Sequence, residues 1–223
     1  DSFGKKQNVK TAIPKIDPDS GIFRVNGQKK CLINQIVMNP ISFPKVNQAK
    51  FESSYSVFHI YSKKMKRVSF LEIYMGAFRM PLLVLISYAF GMEESLRQYG
   101  IQYEIVEKRP STGEIFTKIP SSYIVFKNVN TPLKQELIES FIQANVSNYK
   151  STKEFGTKEY FTELIIKMTG RINAPYHISL NVENIVDPVA KQILINKQLP
   201  NELPLIIQYM AQRAVDGFVQ DPN

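Results

Sequence analysis

At Pro81 the pattern of this chain changes: short runs rich in aromatic and β-branched residues lie ahead of it, and runs with helical spacing dominate after it. Residues 55–61 (YSVFHIY) and 68–74 (VSFLEIY) read as two strands joined by a basic turn over residues 63–67. Pro81 suits a first helical position, and the run over residues 82–98 passes from wholly apolar to amphipathic across Gly91. One long or broken helix is expected there. The apolar stretch over residues 81–90 is half the roughly twenty residues that a membrane span needs, so it is expected to be core.

The remaining segments fill in the same scheme. Residues 1–19 mix Lys, Asn and Asp with Pro14 and Pro18 and read as an extended lead-in. Residues 21–27 (GIFRVNG) read as a strand entering a tight turn, because Asn26 and Gly27 tolerate positive φ at low cost, and a second strand over residues 30–37 completes a hairpin. Further strands are expected over residues 101–108 and 122–127, separated by a polar insertion with Pro110, Gly113 and Pro120. Helices follow at about 131–146, 157–169, 189–195 and 204–218, the first two forming a helical hairpin. The fold class is α+β, a small antiparallel sheet followed by a mainly helical half, divided into a flank with a strand hairpin (1–40) and a larger domain (41–223).

Lys and Arg outnumber Asp and Glu by 28 to 20, a formal charge of +8 that favours polyanionic partners such as nucleic acid. The charge falls in small clusters rather than in one arm, which speaks against a tail-type DNA binder. Cys31 is the single cysteine and sits beside Leu32 and Ile33, so it is expected to be a small buried hydrophobe. Residues 1–10 have charged ends without a hydrophobic centre, unlike a secretion signal.

Catalytic signatures are sparse. A Ser-His-Asp or Cys-His hydrolase needs a histidine base. Only His59 and His177 are present, one mid-strand and the other in an expected loop, with no ligand-spaced neighbours for zinc. No glycine-rich phosphate loop occurs. The acidic pairs Asp17/Asp19 and Glu93/Glu94 read as solvated surface groups.

Residues 20–35 (SGIFRVNGQKKCLINQ) carry a family resemblance. They are similar to a signature of the β-type, second-largest subunit of multisubunit DNA-directed RNA polymerases, Gly-x-Phe-x-Ile-Asn-Gly-x-Glu-Arg/Lys-Val-x-Ile-x-Gln. Gly21, Phe23, Asn26, Gly27, Lys30, Ile33 and Gln35 fall in step, Val25 stands for Ile, and Pro40 matches the proline that follows in bacterial β subunits. Two later blocks keep the family's order. Residues 79–92 (RMPLLVLISYAFGM) resemble a Lys/Arg-x-Ile/Leu-Pro helix, and residues 193–200 (ILINKQLP) with the helix after them resemble an Ile-Leu-x-x-x-x-Leu-Pro run. Residues 104–184 match only loosely. By this alignment both ends fall mid-subunit, as in an excised fragment or a split gene. The Lys/Asn/Ile-rich composition suits the divergent, split β-type genes of jumbo bacteriophages.

The resemblance implies a lobe-like domain with protrusion-like flanking strands, forming one wall of the DNA cleft. It implies no catalytic residue and no cofactor here, since the family holds its Mg2+ on three aspartates of the β′-type subunit. The implied partners are the remaining β-type segments, β′-type subunits and DNA, without a membrane. The compartment is the cytoplasm of a bacterial host, with packaging in the virion left open. Lys30 stands at the family's Arg/Lys position and Gln35 at its glutamine; each also has a plainer reading, as a hairpin residue that orders a turn or packs between domains. The candidate nucleic-acid contacts are Arg24, Lys29, Lys30, Gln35, Lys63, Lys64, Lys66 and Arg67. Gln28-Lys29 departs from the family's glutamate, and Met38-Asn39 lacks the Arg-Ser ahead of the proline, removing a guanidinium able to contact a base. Two other readings stand beside this one. A free-standing basic module would stack single-stranded nucleic acid on Tyr55, Phe58 and Tyr61. A phage structural or assembly protein would use the same fold without transcription.

Overall fold

The computed structural model describes residues 15–31, 39–53, 56–65, 68–146, 149–170, 185–195 and 203–220. The chain divides into two compact units, Asp1–Val37 and Met38–Asn223. In the first, β1 (Ile22–Val25) pairs antiparallel with β2 (Gln28–Cys31). Val25 lies opposite Gln28, so Asn26 and Gly27 form a two-residue turn with φ of 52° and 76°. Positive φ at both central positions matches the right-handed twist of the flanking strands. Asp17 ties down the approach: its carboxylate accepts from the Ser20 hydroxyl at 2.5 Å and from the Asp19 amide at 3.2 Å. The Ser20 bond holds its pKa below the ordinary carboxylate value. Cys31 is exposed, against the expectation of a buried one. Two strands alone give a side chain no second layer to be buried under.

The second unit is built on a five-stranded antiparallel meander. Its strands, in spatial as in chain order, are β3 (Ile41–Lys45), β4 (Gln48–Glu52), β5 (Val57–Met65), β6 (Val68–Met75) and β7 (Phe78–Pro81). Phe51, Phe58, Ile60, Leu71, Ile73, Met75 and Met80 alternate onto one face and are buried. Phe58 stacks on Phe51 with ring centroids 4.8 Å apart, so it is core and not a platform for bases. Tyr55 lies outside the described residues.

The expected basic turn over residues 63–67 is shorter than its composition suggested. Lys63 pairs with Phe70, Lys64 with Ser69 and Met65 with Val68, so the two strands run on through the basic cluster. Alternation explains this. Tyr61 and Lys63 share one face while Ile60 and Ser62 share the other, and a lysine on an open sheet face costs the strand little.

Pro81 ends β7 and stands at the N-cap of α1 (Leu82–Phe90) with φ −57° and ψ 139°, one position ahead of the helix rather than at the first helical position expected for it. Gly91, at φ 84°, breaks the helix before α2 (Met92–Gln98). Residues Leu82 to Ser87 of α1 are all buried, because α2, α3 (Pro132–Gln143) and α4 (Lys158–Thr169) pack around it. The expected α3–α4 hairpin is therefore not the packing unit: α4 rests chiefly on α1 and α3 on β6, rather than on each other. The insertion before residue 122 contains a strand of its own. β8 (Gln102–Val106), β9 (Ile115–Ile119) and β10 (Ser122–Lys127) form a three-stranded sheet in the order β8-β10-β9. The helical set ends with α5 (Pro188–Ile195) and α6 (Leu203–Gln220), so the fold is α+β as expected, with more strands than the sequence showed.

Two side chains fix α3 to the sheet. The Ser140 hydroxyl accepts from the Leu71 amide at 2.6 Å, where β7 pairs only as far as Glu72 and leaves that N–H free, and it donates to the Glu136 carbonyl. The Ser62 hydroxyl donates to the Glu136 carboxylate at 2.6 Å. At the start of α4 the Thr157 hydroxyl accepts from the Tyr160 amide at 3.2 Å. Thr157→Ala should cost about 1 kcal/mol through this lost cap, read as a lower urea midpoint at an unchanged slope.

Candidate nucleic-acid interface

Two basic surfaces emerge, one in each unit. On the hairpin, Arg24 lies directly opposite Lys29, on the same face as the Ile22–Cys31 pair, and both cations are exposed. Like charges facing each other across a strand pair repel, a cost an anion between them would relieve. They line a hollow of about 640 Å³ together with Lys15, Asp17 and Ser20. Lys30 lies opposite Phe23 and so points to the other face, away from Arg24 and Lys29. If Arg24 and Lys29 hold phosphates, Arg24→Gln and Lys29→Gln should each lower the salt dependence of DNA binding by about one counterion, read as the slope of log affinity against log salt.

The second surface is the sheet face opposite the core. Strand pairing sets Lys50, His59, Tyr74 and Arg79 in one row across β4 to β7, with Tyr61 and Glu72 in the next and Lys63 and Phe70 beyond. The Tyr61 and Tyr74 rings meet edge to face at 5.1 Å, and His59 lies nearly parallel to Tyr61 at 6.1 Å. The Lys63 ammonium folds over both tyrosines, 5.1 Å and 4.3 Å from their centroids, and donates to the Tyr74 hydroxyl. Such a cation is held by the ring quadrupoles and keeps its charge at the surface. Among the described residues neither Lys63 nor Arg79 is in an ion pair, whereas Lys50 lies 3.8 Å from Glu52.

His59 is tied into the sheet face through its ring. Its Nδ1 lies 2.7 Å from the Gln48 amide nitrogen, which donates to it, and burial together with the nearby Lys50 lowers its pKa. Among the described residues no group of three or more His, Cys, Asp or Glu side chains comes together as a metal site would. Glu94 is paired with Arg97 at 2.7 Å. No described helix is long and apolar enough to cross a membrane.

Of the eight contacts expected from the sequence, Arg24 and Lys29 come together, Lys30 is set apart from them, and Lys63 joins the aromatic face. Lys64 is exposed at the sheet's end, where it lines hollows on either side of α3. Gln35, Lys66, Arg67 and His177 lie outside the described residues. Sequence reasoning missed Arg79 and Lys50, which stand alone in the chain and join the face only through strand register. Their alternation with buried neighbours was the available signal.

A model of the bacteriophage RNA polymerase family matches residues 52–223. The chain belongs to that family. The matched stretch holds the whole of β5 to β7, and with it Tyr61, Lys63, Tyr74 and Arg79; the hairpin and Lys50 precede it. No curated protein and no solved structure matches the chain. For this phage RNA polymerase family member a role in transcription follows.

Proposed function

We propose that the chain is a non-catalytic, lobe-like segment of the β-type subunit of a multisubunit phage RNA polymerase, forming one wall of the DNA cleft. Its work is positional: it contacts DNA phosphates and neighbouring subunits while the β′-type chain holds the magnesium and performs nucleotidyl transfer. The observation that carries this reading is the hairpin. Residues 20–35 resemble the β-type signature, with seven positions in step, and the strand pairing sets Arg24 and Lys29 opposite each other on one face. Two cations on a short strand pair bind phosphates without reading bases. Membership of the phage family supports the transcription context. The host cytoplasm is the corresponding compartment.

Co-expression with a β′-type chain that carries the three-aspartate motif, alongside the remaining β-type segments, tests this. The chain should co-elute with them on size exclusion and should incorporate no nucleotide by itself. Elution as a free species from an otherwise assembled polymerase would overturn the assignment.

A further inference from the structure

The open face of the meander continues into a hollow of about 450 Å³ at its α3 edge. Lys63, Phe70, Glu72 and Arg79 form the sheet side of this hollow, and Tyr149 and Met168 form part of the helical side. We propose that this face and its hollow bind a single-stranded polynucleotide, one unpaired base entering the hollow and the flanking phosphates resting on Lys63 and Arg79. The inference rests on the polymerase reading for the presence of nucleic acid, but it assigns a site and a strand form that the reading does not supply.

Three features favour an unpaired strand over a duplex. Tyr61 and His59 lie within about 25° of parallel, a platform on which a base can stack, and duplex bases offer no free face to it. The volume lies in the range of about 300–1,000 Å³ in which small-molecule sites fall, enough for a base. The charge is also divided. Glu72 lines the hollow and accepts from the Tyr74 hydroxyl at 3.3 Å, so a phosphate inside would meet a carboxylate. A base N–H, the N3–H of thymine included, could by contrast donate to it. The cations for the backbone are those without an acidic partner among the described residues, Lys63 and Arg79. Phe58, a platform in the sequence reading, is replaced by Tyr74 and His59, because the side chains of β5 alternate.

The test uses the full 223-residue chain. Fluorescence anisotropy with a labelled oligo-dT is compared with a duplex of the same length, and a bromouracil-substituted oligo-dT is photocrosslinked and mapped by mass spectrometry. Crosslinks should fall on β5 to β7. The Lys63→Gln/Arg79→Gln pair should weaken oligo-dT binding about tenfold or more at low salt and reduce its salt slope by about two. Tyr61→Leu should weaken oligo-dT binding about fivefold to a hundredfold and leave duplex binding within twofold. Crosslinks confined to other segments of the wild-type chain, or equal affinities for strand and duplex, would overturn the proposal whatever the variants do. Neither result touches the co-elution test, so the two ideas fail separately.

Discussion

Gly217→Ala is expected to lower the melting temperature by about 6–12 °C, through a loss of roughly 3 kcal/mol or more. The cause is a close approach of helix to turn. A Cβ on Gly217 would stand 1.8 Å from the Val46 carbonyl oxygen and 2.6 Å from its carbon. Backbone atoms cannot step aside as the end of a long side chain can, and this backbone is held. In the same β3–β4 turn, Asn47 donates its side-chain amide to the Ser62 carbonyl at 3.0 Å, and its own carbonyl accepts from the Ser62 amide at 3.1 Å. On the helix side Ala211 and Ala214 are buried, and Tyr209 and Arg213 clasp the Phe43 ring, with the guanidinium 3.8 Å from its centroid. Alanine therefore forces α6 off the sheet, although it would favour the helix locally by about 1 kcal/mol. Differential scanning calorimetry reads the result. A melting temperature within 2 °C or so of wild type would show that α6 does not approach the turn this closely.

Glu136→Gln should make the protein more stable at pH 8 and flatten its pH dependence. The Glu136 side chain is 4 % exposed, and burial pushes its pKa from the ordinary 4.5 up to about 7, while the Ser62 hydrogen bond pulls the other way. The folded state thus binds the proton more tightly than the unfolded chain. The carboxyl contributes its full stability below about pH 4.5, and that contribution is lost as pH rises to about 7. Above that, the folded protein carries a desolvated charge. Glutamine keeps an oxygen to accept from Ser62 and carries no charge, so the variant should exceed wild type by about 1–2 kcal/mol at pH 8, allowing for solvent screening from the adjoining groove. Near pH 4.5 the difference should vanish. Urea titrations at pH 4.5, 6 and 8 measure it, and parallel wild-type and variant curves would show that Glu136 does not titrate in this window.

Both effects depend on contacts that join distant parts of the chain, and this is where the sequence was least legible. Val46 and Gly217, or Ser62 and Glu136, have no local pattern in common. Gly217 lies in the last turn of α6, which runs to Gln220, and nothing in the helical pattern pointed from it to Val46. Glu136 sits on the face that carries Leu133, Leu137 and Phe141, so its burial was implied by helical spacing, but its partner was not. β3, β4, β7 and β9 escaped notice because each spans only four or five residues, too few for a period of two to stand out from a loop without a turn signal like that of Asn26-Gly27, which revealed the equally short β1 and β2.

Local chemistry was decided by the sequence alone. Asn26-Gly27 set the hairpin, Thr131-Pro132 opened α3, and Gly170 in the left-handed region closed α4, because caps and turns depend on the backbone freedom of single residues. The tertiary structure alone decided which cations act together. Register placed Arg79 beside Tyr74 and drew Lys63 over two tyrosine rings, while it turned Lys30 away from Arg24 and Lys29. A strand fixes only which way its own side chains alternate, and their neighbours across the sheet are chosen by pairing between segments that the chain brings together on folding.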